Sequence, residues 1–214
     1  MEESVDLKQI ERKAIRSIHN DGFMAIEFGF LIIALGLPGF PTELIPDPWN
    51  YLLGYLIMVA LALTVFILGK KYVTAPRAGY IKLSLRQSPT QQKLIIFLSL
   101  NVVLSFIILI LTLLGVFQFV DIEPLLVGLI IGLVAFTLPL SVLAYILKLT
   151  HMYIVAFVGG MSFFLVEIFY PVFGPPLAGY LAFFVSGGIV LLIGFIVLYK
   201  FIRKYPLKGE STSE

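Results

Sequence analysis

The sequence predicts an all-α polytopic integral membrane protein with six transmembrane helices and both termini in the cytosol. Three observations carry that expectation. First, 59% of the 214 residues are hydrophobic and 13% charged, with a mean hydropathy of +1.01, whereas soluble domains run at roughly 45–50% apolar and about 25% charged residues. One water-soluble core cannot hide that much apolar surface, so lipid must solvate most of it. Second, the apolar residues fall in unbroken runs of the roughly 17–25 residues a helix needs to cross a ~30 Å hydrocarbon core. A membrane β-barrel would alternate apolar and polar residues, and stretches such as 104–111 do not. Third, the basic residues lie on one side of the spans, as the positive-inside rule requires.

The spans are read at residues 23–40, 51–69, 94–117, 124–147, 152–173 and 177–199. Before the first, 1–22 is a cytosolic segment in which Leu7, Ile10, Ala14 and Ile18 recur at helical spacing, with Lys8, Glu11, Arg12 and Arg16 on other faces. This predicts a short amphipathic helix lying on the membrane surface, and Asn20-Asp21-Gly22 supplies the turn into span one. The first 22 residues mix acids and bases and carry no small-residue cleavage site, so no signal peptide is expected to be removed.

The N-terminal segment, the loop 70–93, Lys148 and the tail 200–214 together hold all 15 basic residues. The alternate loops, 41–50, 118–123 and 174–176, hold none and carry Glu43, Asp47, Asp121 and Glu123. These outer loops are short and proline-rich, and Trp49, Tyr51 and Tyr170 sit where an interfacial aromatic belt would place them.

The loop 70–93 contains Lys70, Lys71, Arg77, Lys82, Arg86 and Lys93 and no acid. Lys70, Lys71, Arg77, Lys82 and Arg86 are therefore candidate contacts for anionic lipid headgroups or a membrane partner, at ~1 kcal/mol per basic residue near an anionic leaflet. Residues 81–86 alternate apolar and polar and 75–79 carry turn residues, so a small β-hairpin with 71–74 as its first arm is expected.

The run Tyr72-Val73-Thr74-Ala75-Pro76-Arg77-Ala78-Gly79-Tyr80, with Asn20-Asp21-Gly22 before Glu27 and Gly29, resembles a pattern in uncharacterised prokaryotic multi-span membrane proteins. The resemblance covers about a third of the chain. It implies a shared scaffold in a prokaryotic cell membrane and no particular reaction.

Ionisable groups inside spans are costly, ~2.5–3.5 kcal/mol at a helix centre, and so point to function. Two stand out, Glu27 and Glu167. At ~1.5 Å per residue Glu27 lies ~6 Å into span one and Glu167 ~22 Å into span five, so depth alone keeps them from forming a carboxylate pair. Asn101, Pro139, Gly159 and Gly160 share the level of Glu27. Pro139 frees the carbonyl of Ala135, and Gly159-Gly160 permits close approach or a bend. Bent helices beside a carboxylate are how transporters build ion sites, and Glu27, Asn101, Pro139, Gly159 and Gly160 form the candidate substrate or ion site. Glu167 has Tyr55, Tyr180 and Thr112 at similar depth as hydrogen-bond donors, a possible proton-carrying or structural group. Gly128 and Gly132, and Ala178, Ala182 and Ser186, mark close helix contacts within one chain or across a homodimer.

Other chemistry is disfavoured. The chain has no cysteine, no phosphate-binding or nucleophile motif, and only His19 and His151 as single histidines, so no metal, cofactor or catalytic set is predicted. Basic residues spread over membrane-proximal loops do not make a nucleic-acid surface. Three spans per half allow an inverted repeat, but no residue-level repeat is evident. The leading function is a small transporter-like or channel-like protein. The alternative is a non-catalytic scaffold or accessory subunit that uses its basic loop, and an enzyme ranks last. Reporter tags at both termini and at Ser88 should locate to the cytosol and one at Thr42 to the opposite side. A single inverted reporter would overturn six spans.

Overall fold

A computed structural model describes residues 20–37, 49–78, 96 and 123–206. Among these residues the regular structure is helical throughout, with no strand. Four helices are long and apolar enough to cross a membrane, and a fifth is apolar but shorter. Helix α1 is Phe23–Leu35. Helix α2 starts as Trp49–Gly69, passes through a π-helical segment Lys70–Thr74 and ends in the turn Ala75–Ala78. Helix α3 is built the same way, from Pro124–Ile131, a π segment Gly132–Thr137 and Leu138–Leu147. Helices α4 and α5 are Thr150–Phe173 and Leu177–Lys204. Of the third expected span only Ile96 is described, as helix. The amphipathic N-terminal segment before Asn20, the first outer loop up to Pro48, Asn101, Thr112, Lys82 and Arg86 lie outside the described residues.

Two expectations are corrected. The helix of span two does not stop at Gly69, because it continues through Lys70 to Ala78. Residues 71–74 are accordingly π-helix and not the first arm of a hairpin. Proline explains both points. In α2 the N–H of Ala75, the residue before Pro76, donates to the carbonyl of Lys70, five residues back. In α3 the N–H of Leu138, the residue before Pro139, donates to Leu133, again five back. A proline ring clashes with the carbonyl four residues earlier, and inserting one residue into the turn relieves that clash without ending the helix. The two segments share one spacing, Gly69-x4-Thr74-x-Pro76 and Gly132-x4-Thr137-x-Pro139. A residue-level repeat is therefore present, between the second and fourth expected spans.

The helices pack side by side in the order α2, α1, α5, α4, α3, with α5 joining the pair α1–α2 to the pair α3–α4. At the α1–α5 seam, glycines on each side let backbone and the aliphatic side chains Ile26, Ile33 and Leu191 pack closely. Gly22, Gly29 and Gly36 recur at seven-residue intervals on α1, and Gly187 and Gly194 do so on α5. A Cβ on Gly29 would meet the Leu191 amide nitrogen at 3.0 Å, and one on Gly194 would meet the Ile26 nitrogen at 2.8 Å. A seven-residue period holds such positions on one seam along two packed helices.

The Gly128 and Gly132 pair joins helices within the chain. A Cβ on Gly128 would meet the Phe163 carbonyl oxygen at 2.9 Å, and Gly132 lies against the Gly160 carbonyl. Thr137 Oγ1 lies 3.1 Å from the Gly132 carbonyl and 3.2 Å from that of Ala156, so its one proton is shared between α3 and α4. Ala178, Ala182 and Ser186 are likewise buried. Phe136, Phe163 and Phe183 link α3, α4 and α5, the last pair edge to face at 5.3 Å.

The turn from α3 to α4 takes two residues. The Leu149 N–H donates to Ala144 and the Lys148 N–H to Tyr145, with Lys148 left-handed at φ 55°, a Schellman closure whose following residue, Leu149, is buried. Outward faces are apolar, with Ile57, Ile67, Leu192 and Val172 all more than half exposed. Every described Lys and Arg lies at one end of the bundle, where α1 and α4 begin and α2, α3 and α5 finish. Gly132→Ala and Gly194→Ala should each lose about 1–3 kcal/mol to overpacking. Gly188→Ala, whose Cβ would enter open space, should be neutral or slightly stabilising. Denaturation in mixed micelles gives the ranking, and equal stability of all three would contradict these seams.

Candidate functional site

The polar centre lies at the basic end of the bundle, on Asp21. Gly22 starts α1 with φ 87°, a left-handed conformation that suits glycine, and a Cβ there would strike the Gly194 carbonyl. The turn this creates folds the Asp21 side chain back, so that Oδ1 accepts the Phe23 N–H at 3.2 Å and begins the helix. The other oxygen, Oδ2, faces α2. It accepts from Lys70 Nζ at 2.7 Å and from Thr74 Oγ1 at 2.5 Å. Asp21 is fully buried and the Lys70 side chain is 19% exposed, so a complete ion pair sits inside the packing.

The π segment makes this set possible. It begins at Lys70 and ends at Thr74, and both side chains converge on one carboxylate oxygen. Lys70 also feels Glu27 on α1, and its ammonium lies 5.4 Å from the Phe66 ring. One lysine therefore serves two acids. His151, in the first turn of α4, lies within electrostatic reach of Asp21 and has a buried Nε2 with no hydrogen-bond partner. Arg77 donates from Nη1 to the Val73 carbonyl at 3.2 Å, which turns the guanidinium back along its own helix.

Of the expected site residues, Glu27 belongs to this cluster. Pro139, Gly159 and Gly160 do not. A Cβ on Gly159 would collide with the Phe136 ring, and one on Gly160 with the Thr137 hydroxyl. Both glycines therefore serve the α3–α4 contact, with Ser162 Oγ closing onto the Gly159 carbonyl at 2.5 Å. Glu167 rests its Cγ against the space at Gly128, and no hydrogen bond joins it to Tyr55 or Tyr180. Among the basic candidates, Lys70 is turned inward to Asp21, while Lys71 is exposed beside the Tyr72 ring at 5.3 Å. No group of three or more acids and histidines that could hold a metal occurs among the described residues.

No known protein family, curated protein or solved structure matches the chain. The site must be read from its own geometry.

Asp21 and Thr74 were not among the residues expected from sequence to carry function. Asp21 looked like one member of a turn, and Thr74 like one arm of a hairpin. The signal that could have found Thr74 is the repeated Gly-x4-Thr-x-Pro spacing, which places a hydroxyl two residues before a helix-breaking proline; no such spacing marks Asp21. Removing one partner of a buried pair costs about 3–5 kcal/mol because the other charge is stranded. Asp21→Asn and Lys70→Met should each fall in that range, and the double variant should recover most of the loss. Additive losses would show that the two groups do not act as a pair.

Proposed function

We propose that the chain is a small six-span integral membrane transporter with both termini in the cytosol. Its cytosol-side polar site is the cluster in which Lys70 is shared by Asp21 and Glu27. The observation that carries this reading is the buried Asp21–Lys70 pair, closed by Thr74 on the π-helical segment of α2. Buried charges are costly structural devices, since apolar side chains of the same volume often hold a fold as well or better. In membrane helices they mark ion and proton pathways. A site at a π-helical segment, with one basic and two acidic groups, is suited to exchange.

The chemistry follows from the count of charges. With both carboxylates ionised, one negative charge is left uncompensated by Lys70, so a proton or small cation arriving at Glu27 or Asp21 competes with the ammonium group. Displacing Lys70 from Asp21 unties the end of α2 from the start of α1, and because Asp21 also accepts the Phe23 N–H, the entrance of α1 responds. Occupancy of the site is thereby linked to the position of two helices, which is what coupled transport requires. The exposed Lys71 at the end of α2 would hold the site against an anionic leaflet.

The test uses the full chain in liposomes loaded with a pH-sensitive dye, under imposed sodium, potassium or chloride gradients. Proton movement driven by one of these gradients is expected. Glu27→Gln should reduce it by at least about tenfold, a loss of ~1.4 kcal/mol or more in transition-state stabilisation, whereas Glu167→Gln should not. Flux indifferent to Glu27→Gln would remove the cluster from the mechanism. No flux under any gradient would favour the scaffold function through the basic loop.

A further inference from the structure

A second polar feature lies at the same end of the bundle, across α1 from the Lys70 cluster, and the transport reading does not use it. A cavity of about 210 Å³ opens between the start of α1, the start of α4 and the end of α5. Asn20, His151, Lys200 and Lys204 line it, with Phe201 and Tyr205 as its apolar wall. No carboxylate lines it among the described residues. Asp21, the acid next to Asn20, is turned away to Lys70 and Thr74 on α2.

We propose that this cavity binds a phosphate group. Lys200 and Lys204 are one helical turn apart, so both ammonium groups can reach one wall of the cavity. Lys204 Nζ rests 5.5 Å from the Tyr205 ring, which anchors its position at the rim. A lysine at the last turn of a helix is ordinary, because it complements the helix dipole. Convergence of a histidine from α4 and an amide from the α1 turn on the same space is not explained that way. His151 adds a further detail, since it lines the cavity while its Nε2 is buried and has no hydrogen-bond partner. A buried polar nitrogen without a partner is costly, and a small turn of the ring toward a phosphate in the adjoining cavity would relieve that cost. Size agrees, because the space is smaller than the roughly 300–1,000 Å³ typical of drug-sized ligands and suits one compact anionic group. Lysines serve as point charges for phosphate, and the imidazole and amide add directed donors. Two sources share this chemistry: the headgroup of an anionic phospholipid, with its chains along the apolar face of α5, and a free phosphate or phosphomonoester.

The experiment titrates the purified full chain with inorganic phosphate and with dihexanoyl phosphatidic acid, using dihexanoylglycerol as the phosphate-free control. It reads thermal stability and, by native mass spectrometry, the retained adduct. Saturable stabilisation by phosphatidic acid alone identifies a lipid headgroup, and stabilisation by inorganic phosphate as well identifies a free-phosphate site. In either case Lys200→Gln with Lys204→Gln should weaken binding by about tenfold or more. These two side chains are exposed, so the variant should fold, and His151→Gln supplies an independent loss of affinity. Stabilisation by neither probe, equal stabilisation by the diacylglycerol, or binding unchanged in the double-lysine variant would overturn the proposal. None of these readouts depends on transport.

Discussion

The arrangement at the basic end depends on one constraint, that the Asp21 carboxylate is buried and must be neutralised where it lies. Its two oxygens divide the task. Oδ1 accepts the Phe23 N–H and starts α1, while Oδ2 accepts from Lys70 and Thr74 and fixes the end of α2. The left-handed Gly22 turns Asp21 inward, and the close approach of Gly22 to Gly194 seats that turn on α5. Three helices therefore meet at one carboxylate. An uncompensated charge there would cost several kcal/mol, so the geometry of the turn, the π segment and the α5 seam are held to one solution.

Away from that point, association relies on contact between backbones. Apolar side chains gain little by leaving lipid for one another, and close approach is what distinguishes helix contact from lipid contact. The glycines of α1 meet those of α5, and Gly132 meets Gly160. The proline-linked π segments serve the same economy. Each shifts the hydrogen-bond ladder by one residue, which changes the direction of the side chains that follow, and a threonine bonds across to the neighbouring helix at each site.

Apolar helices were legible in the sequence because their signal is compositional and local. The helix Pro124–Leu147 has local signals at both ends, since Pro124 opens it and Lys148 follows it. The end of span two was not legible, because hydropathy falls at Lys70 whether or not the helix stops, and the ion pair that lets it continue joins residues 49 apart in sequence. Alternation in 81–86 suggested a hairpin whose first arm, 71–74, is helical, for two or three polar residues near a proline fit either period. Glu27 was found by its cost in an apolar run. Asp21 escaped the same test because an Asn-Asp-Gly turn looks solvent-facing, and its burial is set by Gly194, far along the chain. Gly159 and Gly160 show the converse error, in which a pair free to bend is used for packing against Phe136 and Thr137.

The two Gly-x4-Thr-x-Pro segments separate structure from chemistry by internal comparison. Both carry a π turn, a threonine hydroxyl and a proline at the same spacing, and both face a neighbouring helix. In α3 the hydroxyl of Thr137 finds main-chain carbonyls, and the contact is complete with uncharged groups. In α2 the equivalent Thr74 finds a buried carboxylate that also binds a lysine. The scaffold therefore does not require the charges, since its own second copy packs without them. What the first copy adds is an ion pair with a second acid, Glu27, in reach of the same lysine. That departure from an otherwise repeated solution is the physical ground for placing function at Asp21, Lys70 and Glu27 rather than at the proline kink or the diglycine.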